Sequence, residues 1–347
     1  MDNILDFSYA ELENMLLEMG EKKFRAKQLF QGLYEGKTFD EITNLPKALK
    51  DTLKEKYIDM PIKIHTKLTG KDGTIKFVYE LSDGNLIEGV LMSYKYGNTI
   101  CVSTQVGCRM GCKFCASTLN GLVRNLTSGE ILAQILVVNR LLGGNIKDRK
   151  ITNIVLMGSG EPLDNYKNVV KFLRLVSSEN GINISQRNIS LSTCGLVDKI
   201  NKLAEENLGI TLTISLHAPT DQLRQKTMPI ANAFSVKELI DSTRNYFNKT
   251  HRRIVFEYAL ISGQNDTFEC AETLANLLKG LPCHINLIPL NEVKERGLIG
   301  TNRKKCYAFM DKLTSLGVSA TVRRTMGEDI EGACGQLRAK VLNKNSI

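Results

Sequence analysis

The chain opens on apolar positions spaced three and four residues apart. Leu12, Met15, Leu16 and Met19 follow Ser8-Tyr-Ala-Glu11, which has the form of a capping box, and Gly20 supplies a stop. A second run sets Ala26, Leu29, Phe30 and Leu33 on one face with Lys22, Lys23, Arg25 and Lys27 nearby; a third begins at Pro46 with Leu49, Leu53 and Tyr57 aligned. The spacing predicts three helices, a small helical RNA-binding domain over 1–58 whose charges can meet phosphate. Over 59–97 the period falls to two. Ile75, Phe77, Tyr79 and Leu81 share a face between the turn dipeptides Asp72-Gly73 and Asp83-Gly84, which predicts a β-meander. Its third strand, Leu86 to Met92, puts Glu88 on the face of Leu86, Val90 and Met92. If that face is buried, Glu88 is a candidate base, because desolvation disfavours a charged carboxylate; if it is solvated, Glu88 is an ordinary surface group.

Beyond residue 98, strands alternate with helical stretches. The expected strands are 100–106, 151–157, 187–192, 210–216, 253–260 and 284–288, with helical runs between them such as 128–142 and 236–247. This βα repeat implies an α/β fold, a parallel sheet or partial (β/α)6 TIM-like barrel over 98–335, followed by a basic tail over 336–347. In such folds the site forms at the carboxyl ends of the strands.

Those ends carry polar motifs. The first leads into Cys108, Cys112 and Cys115, the second into Gly158-Ser-Gly160-Glu161-Pro162, and the next three into Ser192-Thr-Cys-Gly195, Ser215-Leu-His-Ala-Pro219 and Glu257-Tyr258. The sixth runs through Asn286 to Asn291. Three clustered thiolates can fill three corners of an iron-sulfur cubane and leave one iron open to a ligand, whereas structural zinc sites close all four positions. Gly158 and Gly160 make no dinucleotide fingerprint, since Leu163 stands where a third glycine belongs; they would let backbone approach a small ligand. Glu161 and His217 are then hydrogen-bonding candidates for an amino group and for a carboxylate or ribose. His217 as a metal ligand is the weaker reading.

Composition narrows the class. The chain has 347 residues, 42% of them apolar, enough for a sizeable core. Its nine cysteines are too sparse for a disulfide scaffold, and clustered thiols in a reducing compartment point to metal or catalysis. Cys101 and Cys334, the latter between glycines, join the cluster as candidates, with Cys194 a neighbour at a strand end; Cys270, Cys283 and Cys306 fit packing. The first twenty residues are acidic and amphipathic and no stretch nears the ~18 apolar residues of a membrane span, so a cytoplasmic protein is expected. Forty-six Lys and Arg against 37 Asp and Glu, formally +9, favour a polyanionic partner such as RNA, although solvated lysine faces give the same balance.

Cys108-Arg-Met-Gly-Cys112-Lys-Phe-Cys115 is the CxxxCxxC signature of the radical S-adenosylmethionine (SAM) enzymes. Together with Gln105-Val-Gly-Cys108, Gly160-Glu-Pro162, Ser215-Leu-His-Ala-Pro219, Met228-Pro-Ile230, Asp329 to Leu337 and Arg25-Ala-Lys-Gln-Leu-Phe30, it resembles the adenine-C2 RNA methyltransferases that act on 23S rRNA and tRNA. The resemblance covers nearly the whole chain. It implies a radical SAM barrel, one 4Fe-4S cluster held by Cys108, Cys112 and Cys115, and SAM bound by Gly160, Glu161, Ser192, Ser215, His217 and Asn291. Two SAM molecules would be consumed per turnover: one methylates Cys334, the other yields a 5′-deoxyadenosyl radical that activates that methyl group for addition to the base. Glu88 would take the C2 proton, and Cys101 would attack the Cys334 sulfur to release the RNA.

The same resemblance implies a monomer, a cellular electron donor such as flavodoxin, and a target base drawn from its stack, with Arg323, Arg324 and Arg338 as phosphate contacts. Ser159 and Cys194 depart from the family pattern, which has methionine and serine there. Two rival readings stand beside it: the related adenine-C8 rRNA methyltransferases of antibiotic resistance, and a non-catalytic zinc-bound RNA module.

Overall fold

Helices form where the apolar spacing sets them. In the computed structural model, which describes residues 1–291, 294–324 and 326–330, helix α1 (Tyr9–Glu18) starts at the Ser8–Glu11 capping box and buries Leu12 and Leu16. Helix α2 (Phe24–Tyr34) buries its predicted stripe; α3 (Lys47–Lys56), with Pro46 at its N-cap position, buries Leu49 and Leu53, whereas Tyr57 lies past its end, half-buried in a two-residue strand. These helices do not stand apart from the rest. Tyr34 donates to the Leu175 carbonyl and Asp6 accepts from the Gly129 amide, so one hydrophobic core is continuous from Ile4 to Leu313.

Glu41 of this helical region grips Arg140 through two bonds of 2.6 and 2.8 Å. Those bonds hold its carboxyl at about 2, against the ordinary 4.5, so the pair contributes fully above the ordinary value and fades as pH falls toward about 2. Both side chains remain exposed, 45% and 41%. Glu41→Gln is therefore expected to cost under about 1 kcal/mol near neutrality and nothing at pH 2, which urea titrations at the two pH values would check.

Ten strands form one open sheet: β1 (Ile62–Thr69), β2 (Ile75–Leu81), β3 (Leu86–Tyr94), β4 (Gly97–Cys101), β5 (Ile151–Leu156), β6 (Ile189–Thr193), β7 (Thr211–Ser215), β8 (Ile254–Leu260), β9 (Cys283–Pro289) and β10 (Ala320–Val322). Their order across the sheet is their order in the chain. β1 to β4 pair antiparallel, the meander expected from Asp72-Gly73 and Asp83-Gly84, and β4 to β10 pair parallel. The helices after β4 are α4 (Ser128–Leu141), α5 (Tyr166–Val176), α6 (Val197–Leu203), α7 (Asp221–Thr227), α8 (Val236–Thr250), α9 (Phe268–Leu277) and α10 (Arg303–Ser315). The sheet does not close, in keeping with a partial barrel.

Two details differ from the sequence reading. The strand expected over 100–106 stops at Cys101; Gln105–Gly107 pairs instead with Leu122–Asn125 in a separate ribbon. The cause is Ser103, whose amide and carbonyl are both taken by the Gln134 side chain of α4, which turns the chain away from the sheet. A seventh parallel strand, β10, is only three residues long and escapes a periodicity test.

Register divides the sheet chemically. Ile100, Ile154, Leu191, Leu212, Phe256 and Leu287 lie on one face, in the core with the helices. The opposite face carries Cys101, Val155, Ser192, Ser215, Glu257 and Asn286 in adjoining positions. Alternation thus sends the chemistry-bearing residues to one side.

Candidate active site

A cavity of about 360 Å³ opens on that polar face, at the carboxyl ends of the parallel strands. Its wall holds Cys108, Cys112 and Cys115, and also Cys101. All six positions expected to bind SAM line it too: Gly160, Glu161, Ser192, Ser215, His217 and Asn291. Residues spread over almost two hundred positions converge there because the motifs that carry them lie at the carboxyl ends of successive parallel strands.

The cysteine loop is held mainly by backbone. The Cys108 amide donates to Gly121, Lys113 donates to Thr227, and the Thr118 hydroxyl reaches the carbonyls of Cys112 and Cys115. Gly111 takes φ +72°, the left-handed region that favours glycine, where it packs on Pro229. Met228 and Ile230 pack against Cys112, Phe114 and Cys115, which gives the Met228-Pro-Ile230 phrase its role as the floor of the loop. Burial pushes the Cys108 thiol up to about 12 and raises Cys112 as well. A bare site therefore keeps both as thiols until a cation displaces the protons.

Glu161 is 4% exposed and accepts from the amides of Leu163 (3.0 Å) and Cys194 (2.7 Å). Burial raises its pKa against those bonds. The glycines flanking Ser159 have a cause besides the one the sequence suggests. A Cβ on Gly158 would come within 2.7 Å of the Val102–Ser103 backbone, and one on Gly160 within 2.5 Å of Gln105. The adjoining backbone and Gln105 therefore already demand glycine at both positions, which also line the cavity. Gln105 then ties the loop together: its carbonyl oxygen accepts from the Glu161 amide, and its amide group donates to Asp164, which also binds Arg109.

His217 has φ +56° and is buried. The Ala259 amide donates to its Nδ1 at 2.9 Å, which leaves Nε2 to carry the proton. Burial, with the nearby Arg224 charge, lowers its pKa to about 3, so the ring is a neutral donor across the physiological range. That fits a hydrogen-bonding role better than metal ligation.

Glu88 resolves the alternative posed by the meander: its face is buried, and the residue is 1% exposed. It neighbours Val90, which pairs with Cys101, but it is not part of the cavity wall. Lys76, equally buried, stands on the same face opposite Val90. Cys270 and Cys306 are core residues and Cys283 is half-buried, as expected. Cys334 and Arg338 lie outside the described residues. Arg323 and Arg324 line the cavity, with Arg323 3.5 Å from Glu257. Among the N-terminal cations, Lys23 pairs with Glu13 and Arg25 binds the Asn44 carbonyl, while Lys22 and Lys27 are exposed.

The sequence reading missed Arg224. It is fully buried and donates to the carbonyls of Cys194 (2.5 Å), Leu216 (3.2 Å) and Ser215 (3.3 Å), clamping the ends of β6 and β7. Among the described residues no carboxylate pairs with it, and its Nη1 has no hydrogen-bond partner. The thiols of Cys194 and Cys112 and, more weakly, the Asp221 carboxylate are the groups whose negative charge would act on it. A buried cation left in that state fits an anionic group bound at the cysteines. No group of three Cys, His, Asp or Glu side chains among the described residues is arranged to hold a single metal ion. The donor set suits instead a larger cluster ligated through separate thiolates.

Comparisons with known proteins agree. Residues 102–278 match the family model of the radical SAM superfamily, and residues 2–58 match that of the ribosomal RNA large subunit methyltransferase N-terminal domain. A probable dual-specificity RNA methyltransferase RlmN from Clostridium perfringens is 53% identical over 350 residues, covering 100% of this chain and 99% of its own. The corresponding protein of Clostridium novyi is also 53% identical, over 99% of this chain and 100% of its own. A crystal structure of a radical SAM methyltransferase from Sphaerobacter thermophilus superposes with a TM-score of 0.92 at 41% identity, over 97% of this chain and 99% of that one.

Proposed function

The chain belongs to the RlmN family of radical SAM RNA methyltransferases, and from that premise we propose that it methylates carbon 2 of adenine in 23S rRNA, at the peptidyl-transferase centre, and in tRNA, at the adenosine next to the anticodon. The family uses a 4Fe-4S cluster and SAM, and membership sets aside the zinc-bound module. The observation that carries the reading is the meeting of Cys101, the CxxxCxxC triplet and the six SAM-binding positions in one cavity.

When bound, the cluster supplies the electron that cleaves SAM reductively. Cys108, Cys112 and Cys115 hold it. Glu161 and the neutral His217 orient the amino acid and ribose ends of SAM, and Ser192, Ser215 and Asn291 complete the wall. Cys334 carries the methyl carbon to the base. Glu88 takes the proton lost from C2; its burial on the strand face that carries Val90, the partner of Cys101, supports that assignment. The Cys101 sulfur then attacks the Cys334 sulfur. That step breaks the sulfur–carbon bond, whose electron pair leaves with the carbon; the carbon takes a proton to become the methyl group, the RNA is freed, and the disulfide left behind is returned to two thiols by a thiol reductant supplying two electrons. The enzyme acts as a cytoplasmic monomer supplied with electrons by a donor such as flavodoxin; no helix among the described residues is long and apolar enough to cross a membrane.

Anaerobically reconstituted protein, given SAM, a low-potential reductant and a 23S rRNA fragment, is expected to yield 2-methyladenine together with 5′-deoxyadenosine. Nucleoside mass spectrometry reads the product. An 8-methyladenine product would transfer the protein to the C8 branch, and absence of any methylated adenine would end the reading.

A further inference from the structure

Beyond the cavity wall lies a feature that the cluster and SAM leave unexplained. At the end of β3 the chain turns through Tyr94-Lys95-Tyr96-Gly97, and the two tyrosine rings stack with centroids 5.0 Å apart and planes 6° from parallel. Tyr94 lines the cavity and packs on the Val90, Met92 and Cys101 cluster. Tyr96 is 72% exposed, more than any other aromatic residue among the described ones. Gly97, at φ +129°, makes the tight exit that holds the second ring above the first. Arg323 is close enough for its charge to act on the Tyr96 hydroxyl, and Arg324 lines the same cavity while exposed to solvent.

A stacked aromatic pair with its outer ring in solvent, at a cavity that two arginines also line, has the chemistry of a platform for single-stranded nucleic acid. Every base has a π-face to lay on the outer ring, and the arginines can take the phosphates. Tyr94 alone would complete the apolar wall, so stacking, and not burial, is what the outer ring contributes. The position is also informative. The pair stands at the hairpin from β3 to β4, with Tyr94 on the strand face that carries Glu88 and Val90 and packed beside Cys101.

We propose that Tyr94 and Tyr96, with Arg324, form a subsite that stacks an unpaired RNA base adjacent to the target adenine and holds the strand at the cavity mouth. This inference rests on the RNA methyltransferase reading and extends it to the neighbouring nucleotide. The stacked neighbour replaces contacts that the target loses on leaving its own stack, so the subsite lowers the cost of extrusion.

The test uses the full-length protein reconstituted with its cluster and a single-stranded hairpin fragment of 23S rRNA. Tyr96→Ala changes an exposed side chain, so a melting temperature equal to that of the parent verifies folding. Affinity for the fragment, read by fluorescence anisotropy, is expected to fall about tenfold, as loss of one base stack would give; Tyr96→Phe, which keeps the ring, is expected to stay within about twofold. An abasic nucleotide beside the target should weaken the parent by a similar factor and leave Tyr96→Ala unaffected, the coupling that a shared contact requires. Arg324→Ala should lower the salt slope of binding by about one unit.

Equal affinity of Tyr96→Ala and the parent, or additive effects of the tyrosine and the abasic site, would overturn the subsite. Methylation of Cys334 measured without RNA separates a third case: if Tyr96→Ala reduces it as much as it reduces RNA methylation, the rings pack on the cysteine-bearing tail and not on a base. A parent protein that bound the fragment with the expected coupling yet formed no methyladenine would instead contradict the reaction assigned above.

Discussion

Replacing Cys112 by alanine should leave a folded, colourless protein with no measurable RNA methylation, a rate loss of more than about 10³-fold, or over 4 kcal/mol of barrier. The effect is large because the thiol is one of the three CxxxCxxC sulfurs in the cavity wall, and the other two thiols there, Cys101 and Cys194, lie outside that loop. Folding is expected to survive because the loop does not depend on that sulfur. Its amides and carbonyls are tied to Thr227, Thr118 and Gly121, none of which the substitution touches. Iron and acid-labile sulfide content of the reconstituted protein checks the first half, and a urea midpoint the second. Cys270→Ala provides the contrast: a helix-packing cysteine that should cost some stability and no iron. Full iron in Cys112→Ala would remove the triplet from the cluster site.

The second large effect falls on stability. Arg224→Met keeps most of the stem volume and deletes the guanidinium that joins three carbonyls at the ends of β6 and β7. Hydrogen bonds from a charged donor contribute about 1.5–3 kcal/mol each. Against that loss stands the relief of a buried cation that lacks a carboxylate, which offsets part of it. The balance is a loss of about 3 kcal/mol, between the full sum of the bonds and the near-neutral outcome seen when buried pairs are replaced by apolar groups. Lysine, with a single nitrogen, cannot reach all three acceptors and should recover less than half. Equilibrium urea unfolding of the apo-protein measures both variants. A Met variant as stable as the parent would mean that those carbonyls find other donors.

Much of this architecture was legible before the fold was seen, and the reason differs between elements. Capping boxes and three-four spacing are local, so the N-terminal helices could be read directly. The strand-end motifs were legible because a parallel sheet returns every strand end to one rim, which makes separate polar phrases meaningful as a set. The alternation that put Glu88 on the face of Val90 was legible; whether water reached that face was not, since burial depends on what packs against the sheet.

Arg224 was illegible for a related reason. In Asp221-Gln-Leu-Arg-Gln-Lys-Thr227 it resembles any cation on a solvated helix, and only the tertiary placement of α7 beneath two strand ends reveals otherwise. Sequence shows the freedom of Gly158 and Gly160 but not the packing on Ser103 and Gln105 that also demands it. The early end of β4 turned on Gln134, thirty-one residues downstream of Ser103 and on another element.

The identity between strand order in the sheet and strand order in the chain has a consequence for synthesis. Each new strand leaving the ribosome finds its partner already made, so no pairing waits for a segment still to be translated, and the growing edge is covered by the next arrival. The last strand to arrive, Ala320–Val322, is also the shortest of the ten, which leaves little unpaired backbone at the finished edge to recruit another nascent chain.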